Sequence, residues 1–339
     1  MKKSLSRTLA GLCCATLFIG MLAGCTKANN ESSEAGTKES EKKYKIGITQ
    51  IADHPSLDNC RKGFIEGLKE EGFIEGKNVT FDYRSAKGEI STANTIATSF
   101  VGNNYDLICA IATPSAQTAY TTATEKKIPV IFSAVSDPIA AKLVNTLEKP
   151  GKGATGTSDV IPVEKQLEMI RDFMPNAKKI GILYNTSEPN SATQIAMYEA
   201  AAAKFNFEIV KVGVASQADI PMATDNILAK VDCLTNLTDN LIVSNLQTVL
   251  GKANAKKIPV FGSEEEQVKN GCVASQGIDY VKLGIQTGKI AARVLKGEDI
   301  NNIAVETIQE SKLVVNESVM KSLSLSLPEK LQATAQIVK

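Results

Sequence analysis

The chain repeats itself over a long interval, and that repetition limits the folds open to it. Lys126-Lys127-Ile128-Pro129-Val130-Ile131-Phe132 and Lys256-Lys257-Ile258-Pro259-Val260-Phe261 close two passages of the same kind. Each passage opens on a short apolar run, Asp106 to Ala110 in one and Val231 to Leu234 in the other. A polar turn and a helical pattern follow, at Ala112-Thr113-Pro114-Ser115-Ala116-Gln117 and again at Leu237-Thr238-Asp239-Asn240. Upstream, Lys45-Ile46-Gly47-Ile48 returns as Lys179-Ile180-Gly181-Ile182 at an offset of 134. The match continues with Pro55 on Pro189, Phe64 on Tyr198, Leu68 on Ala202 and Phe73 on Phe207. The closing words repeat at an offset of 130, a change of four residues in loop length. So long a period means duplicated lobes, not a solenoid of short repeats.

Within each lobe the pattern alternates. Tyr44 to Ile51 reads as a strand, and Asp53-His54-Pro55 turns it into a helix carrying Phe64, Ile65 and Leu68 at helical spacing. Val79 to Tyr83 alternates as a second strand; a helix over Ile90 to Phe100 and the strand Asp106 to Ala110 follow. A helix to about Glu125 and the strand Ile128 to Phe132 complete the set. Strands alternating with helices of about a dozen residues argue for βαβ units and parallel sheets, an α/β fold of two Rossmann-like lobes. Two stretches lie outside the repeat and read as crossings between lobes. Gly153 to Asp159 leads into a helix over Val163 to Met174, and Gly271 to Tyr280 leads back into a helix over Tyr280 to Leu295. Lys312-Leu313-Val314-Val315 reads as a last strand after a third crossing. The expected division is 44–158 plus 277–300 for lobe 1 and 159–276 plus 301–339 for lobe 2, with the three crossings as a hinge.

The N-terminus reads as an address. Lys2, Lys3 and Arg7 precede an apolar stretch from Leu9 to Met21, short for a membrane span, ending in Leu22-Ala23-Gly24-Cys25. Residues 1–24 are expected to be a lipoprotein signal peptide, with Cys25 lipidated and the protein anchored on the extracytoplasmic face of the cell membrane. Residues 25–43, nearly free of apolar side chains, read as a disordered tether. Of the remaining cysteines in the body, Cys109 and Cys233 sit in apolar runs and read as small buried hydrophobes. A disulfide among Cys60, Cys109, Cys233 and Cys272 is left open. The net charge of +1, with no long run of one sign in the body, offers nothing for nucleic acid.

In open α/β sheets ligands bind beyond the carboxyl ends of the strands. Here those ends carry Thr49, Gln50 and His54, then Thr113, Pro114 and Ser115, then Ser136 and Asp137. In the second lobe they carry Tyr184, Asn185, Glu188 and Ser191, then Thr238, Asp239 and Asn240. Several of these turns also start helices, whose free N–H groups suit a carboxylate. Taken singly, Thr113, Ser187 and Asp239 are as readily helix caps. Asp159, Asp239 and Asp279 are the candidates for holding an ammonium group, because a desolvated cation needs a charge partner. Tyr184 and Tyr280 are candidates for an aromatic wall; Phe132 reads rather as core. Catalytic sets are poorly supplied. His54 is the one histidine, so no Ser-His-Asp triad or His-based metal site is expected, and no cofactor. Gly284-Ile285-Gln286-Thr287-Gly288-Lys289 has the wrong spacing for a phosphate loop and reads as helix.

As a set, Gly47-Ile48-Thr49-Gln50-Ile51 with His54-Pro55, Ala112 to Gln117, Ser136-Asp137-Pro138, Gly156-Thr157-Ser158-Asp159, Tyr184-Asn185, Thr238-Asp239-Asn240 and Gly277-Ile278-Asp279-Tyr280 resemble the ABC-transporter substrate-binding lipoproteins of the tryptophan/tyrosine-type family. The resemblance covers Tyr44 to Lys339; Asn236-Leu237 departs from a more β-like Val-Pro in the family. It implies a type I periplasmic-binding-protein fold that closes on a small ligand, commonly an aromatic amino acid. It also implies delivery to an ABC permease with its ATPase, and no enzymatic activity; the protein is expected to be a monomer. The matched turns, with Thr157 and Ser158 among them, would supply the ligand contacts. A tethered ligand sensor and a sugar- or nucleoside-binding protein are the competing readings on the same fold. The absence of tryptophan weighs against sugar.

Overall fold

The computed structural model describes residues 42–308 and 310–339. The signal-peptide and lipidation expectations, and the tether up to residue 41, lie outside those residues. The first lobe runs β1 (Tyr44–Gln50), α1 (Pro55–Glu70), β2 (Val79–Ser85), α2 (Ile90–Gly102), β3 (Leu107–Ile111), α3 (Thr113–Ala123), β4 (Val130–Ser133) and β5 (Ala154–Ser158). The second runs α4 (Val163–Phe173), β6 (Lys179–Asn185), α5 (Pro189–Ala202), β7 (Glu208–Val214), α6 (Ile220–Leu228) and β8 (Cys233–Thr235). It continues with α7 (Asn240–Ser244), α8 (Leu246–Ala255), β9 (Val260–Phe261), α9 (Glu265–Lys269) and β10 (Ala274–Gly277). The chain returns to the first lobe for α10 (Tyr280–Leu295) and β11 (Glu306–Thr307). It ends in the second with β12 (Lys312–Asn316), α11 (Glu317–Ser322), α12 (Glu329–Gln332) and β13 (Ala335–Val338).

The first sheet has the order β11-β5-β4-β3-β1-β2, all parallel. The second repeats the arrangement as β7-β6-β8-β9. Main-chain bonds from Val273 N–H to the Val260 carbonyl and from Gly262 N–H to the Ala274 carbonyl carry it on to β10-β12-β13. The α/β class, the two lobes and the parallel pairing of the six- and four-stranded sheets are therefore as expected, while β10 and β12 pair antiparallel. One boundary is not as expected. β11 pairs with Thr157 and Ser158 of β5, and the Asn301 side chain accepts from Gly153 N–H, so the chain stays with the first lobe to Thr307 and not to 300. A two-residue edge strand carries no periodicity by which to find it.

Each repeated word has a packing reason. Ile46 and Ile48, two residues apart on β1, are buried on one face of the strand, and the Phe100 ring of α2 lies against Gly47 between them on the other. Phe64 and Leu68 on α1, and Tyr198 and Ala202 on α5, fill equivalent places under the two sheets. Parallel strands send all their carboxyl ends the same way, so in each lobe the polar turns gather on one rim. The four body cysteines are free and buried, Cys109 and Cys233 inside strands as small hydrophobes.

Candidate functional site

The two rims face each other and close around a cavity of about 10 Å3, roughly room for one water. His54, Ser56, Leu57, Ala112, Thr113, Ala134, Ser136 and Tyr280 line it from the first lobe. Asp159 lines it from the first crossing, and Asn190, Thr238, Asn240, Val243, Glu264 and Gln267 from the second lobe. The cavity shares lining residues with an outer cleft of about 590 Å3 and with a smaller space of about 170 Å3. Pro114, Glu188 and Asn240 border the former; His54, Ser56, Val243 and Glu264 border the latter. Ala112 and Ala134 hold left-handed backbone, with φ of +75° and +56°. Such strain persists where the surroundings over-determine it, and binding rims are a common place.

Of the residues expected at a site, His54, Thr113, Ser136, Asp159, Thr238 and Asn240 meet in this cavity. Asp159 is one of two carboxylates on its wall, the other being Glu264. Asp159 accepts from the Ser136 hydroxyl at 2.9 Å and the Tyr280 hydroxyl at 2.7 Å. Burial pushes its carboxyl above the usual range, and the bonds from Tyr280 and Ser136 pull it part of the way back. Gln194 ties the lobes behind it, donating to Ser136 Oγ at 2.9 Å while its Oε1 accepts from Thr238 N–H at 3.1 Å. Across the cavity Ser56 donates to Glu264 Oε1 at 2.9 Å, and burial pushes the Glu264 carboxyl up to about 7. Among the described residues, no lysine or arginine lines the cavity. His54 Nδ1 and Asn190 Oδ1 are buried there without a protein partner, as is Ser115 Oγ at the start of α3. Unpaired buried polar atoms of this kind cost stability unless something else satisfies them.

The other expected residues do structural work. Asp239 caps α7, its carboxylate taking Ile242 N–H at 2.9 Å, Asn185 N–H at 2.6 Å and the Ser191 hydroxyl at 2.6 Å. It has no place on the cavity wall. Asp279 caps α10 and pairs with Lys312 at 3.2 Å. Asp137 caps the turn to Ile139 and Ala140. Thr157 bonds Thr287 at 2.8 Å, Ser158 bonds the Ser136 carbonyl, and Gln50 bonds Asp58 under α1. Thr49 and Ser115 are buried outside the cavity lining; Pro114, Asn185 and Glu188 border the outer cleft. Glu188 accepts the Asn240 and Leu241 N–H groups, and burial followed by the Asp239 charge raises its carboxyl. Tyr184 packs on the second core and Phe132 is wholly buried, so Tyr280 alone of the three aromatics reaches the cavity.

Sequence reasoning passed over Ser56, Asn190, Gln194, Glu264 and Gln267. The repeat contained the signal. The offset that pairs Pro55 with Pro189 pairs Ser56 with Asn190, and the offset of 130 pairs Ser133-Ala134 with Ser263-Glu264. Both members of each second-residue pair, Ser56 with Asn190 and Ala134 with Glu264, line the cavity.

A profile of the family described as "ABC transporter substrate binding protein" matches residues 45–339. A "Tyrosine-binding protein" from Clostridioides difficile is 42% identical over 326 residues, covering 96% of this chain and 93% of that one. An ABC domain from Streptococcus pneumonia in complex with L-Trp superposes with a TM-score of 0.85 at 36% identity, over 88% of this chain and 100% of that one. The ligand-free, open structure of a Clostridium difficile substrate binding protein with adhesive properties gives 0.66 at 40% identity, over 87% and 99%. The chain superposes better on the L-Trp complex than on the ligand-free, open structure. With the fold, the facing rims and these matches together, the chain belongs to the ABC transporter substrate binding protein family, extracytoplasmic solute-binding proteins of ABC importers and not enzymes.

Proposed function

We propose that the protein captures an α-amino acid with an aromatic side chain between its lobes and hands it to an ABC permease served by a separate ATPase. The observation that carries this is the balance of charge in the cavity. Asp159 is a buried carboxylate with no cationic side chain on the lining, which suits a ligand that brings its own ammonium group. The ligand carboxylate then has the first N–H groups of α3, beside Thr113 and the unpartnered Ser115 hydroxyl. The Tyr280 hydroxyl and Ser136 orient Asp159, and Asn190 Oδ1 offers a further acceptor to the ammonium. The names of the relatives, one for tyrosine and one bound to L-Trp, support the aromatic class. Capture works by closure: the ligand bridges both rims and so favours the closed arrangement.

The test is a thermal-shift screen against L-amino acids, sugars and nucleosides. A ligand that binds only the folded state raises the melting temperature at saturation. The expected result is a rise of several degrees with L-Tyr or L-Trp, and a loss of affinity of about 100-fold in Asp159→Asn with folding intact. A shift with a sugar or nucleoside, and none with any amino acid, overturns the reading.

We propose further that the protein acts as a monomer and that lipid on Cys25 tethers it, the tether being supported by Leu22-Ala23-Gly24-Cys25 behind a basic and apolar leader. Cys25→Ala is expected to leave the protein in the soluble fraction of cells. Retention in the membrane fraction refutes the anchor.

A further inference from the structure

The proton on one imidazole can be placed from its neighbours. The Glu188 carboxylate takes backbone N–H groups on both oxygens, from Asn240 on Oε2 at 3.0 Å and from Leu241 on Oε1 at 3.1 Å. Oε2 also accepts from the Asn240 side-chain amide nitrogen at 2.6 Å. The amide oxygen is then the atom facing His54 Nε2, at 3.4 Å. An amide oxygen only accepts, so Nε2 carries the proton. Burial holds the His54 pKa down at about 4, so the ring is neutral and Nδ1 is a bare acceptor. That acceptor is buried and unpartnered, in a side chain 8% exposed on the cavity wall. His54 stands at the N-cap of α1, yet its side chain makes no capping bond there.

We propose that His54 Nδ1 is a specificity-determining acceptor that reads a hydrogen-bond donor on the ligand's side chain, a phenol O–H or an indole N–H, and discriminates against a plain benzyl group. The inference rests on the aromatic amino-acid reading above. The ammonium has its counter-charge in Asp159, and the second unused acceptor, Asn190 Oδ1, lies beside the Thr238 carbonyl that takes the Asn190 amide. His54 instead stands in the wall shared with the 170 Å3 space, where Val243 and Leu246 give a ring apolar surface. A site built around such an acceptor penalises a ligand without the donor, because the buried lone pair is then left unpaired.

The deciding experiment is calorimetric titration of the full chain in detergent with L-Tyr, L-Trp, L-Phe, O-methyl-L-tyrosine and 1-methyl-L-tryptophan. Wild type is expected to bind L-Tyr or L-Trp about 100-fold more tightly than L-Phe and than its own methylated counterpart. His54→Leu should bring the donor-bearing ligand down to the L-Phe level while leaving L-Phe unchanged, and His54→Asn, with an amide oxygen near the place of Nδ1, should restore part of the preference. Equal affinity of wild type for L-Phe, or an equal loss for every ligand in His54→Leu, overturns the assignment while leaving aromatic capture standing. If no aromatic amino acid binds wild type, the aromatic reading fails and this inference with it. Should His54→Leu not fold, the methylated ligands on wild type decide alone.

Discussion

Three aspartates that the sequence presents alike, Asp159, Asp239 and Asp279, end in three different jobs. What separates them is which donors reach them first. Asp239 takes Ile242 N–H at the start of α7, Asn185 N–H at the end of β6 and the Ser191 hydroxyl, and Asp279 takes two N–H groups at the start of α10, whereas Asp159 receives the hydroxyls of Ser136 and Tyr280 and lines the cavity. Glu264 carries a consequence that can be measured. Burial raises its carboxyl from 4.5 to about 7, so between those values the folded protein holds a proton that the unfolded chain has released. Stability from this group is therefore lost as pH rises from about 4.5 to about 7 and is level above. At about 1.4 kcal/mol per pKa unit the effect reaches up to about 3 kcal/mol. His54, held low by burial, acts in the opposite sense between about 4 and 6.5, so wild type must be compared with Glu264→Gln and not read alone. The difference in unfolding free energy between the two should change across pH 4.5 to 7; a constant difference refutes the shift.

At the scale of elements, α1 and α10 form the closest helix pair of the first lobe. Gly63 and Gly67 on α1 face Gly284 and Gly288 on α10, each pair one helical turn apart. A Cβ on Gly284 would run into the Cys60 carbonyl, and one on Gly288 into the Phe64 carbonyl; the reverse holds for Gly63 with Val281 and Gly67 with Ile285. Backbone cannot step aside cheaply, so Gly284→Ala is expected to lose about 1–3 kcal/mol despite the better helix propensity of alanine. Gly251→Ala in α8, where nothing lies within 4 Å of the added methyl, should gain about 0.5–1 kcal/mol instead. Urea denaturation of both variants checks the contrast. Equal effects would mean that the helices do not meet as described. This pairing also fixes Thr287 on α10, which bonds Ser133 of β4 and Thr157 of β5 and so aligns the rim that carries Ser136 and Asp159.

At the scale of the whole molecule, the closed arrangement is held by few direct bonds. Ser56 to Glu264 at 2.9 Å, Asn59 to Glu266 at 3.1 Å and His54 to Asn240 at 3.4 Å join α1 to the second lobe on one side. Gln194 to Ser136 joins them on the other. A hydrogen bond contributes about 1 kcal/mol net, so the unliganded lobes should open readily and a ligand should decide the balance. Small-angle scattering is expected to show a fall in radius of gyration on saturation with ligand. Ser56→Ala should raise the ligand-free radius and weaken binding about fivefold, with little effect on the fold. An unchanged radius in both comparisons would leave closure without support.

What the sequence determined by itself is everything that repeats locally. Strand and helix periods, the turns between them and even their backbone are written in the duplicated words: Lys127 and Lys257, at equivalent places before Pro129 and Pro259, hold left-handed φ of +54° and +57°. Two lobes, parallel sheets and the rims on which ligand contacts would lie follow from those periods. Only the tertiary structure decided which rim residues face the cavity. Asp239 and Asn240 are adjacent in sequence, yet one turns to cap its helix while the other reaches the cavity and His54. Glu264 and Ser56, 208 residues apart, become partners only when the lobes meet. Periodicity reports on neighbours a few residues away, whereas a site between lobes is set by contacts across the whole chain and by which hydrogen bonds are already taken when the ligand's turn comes.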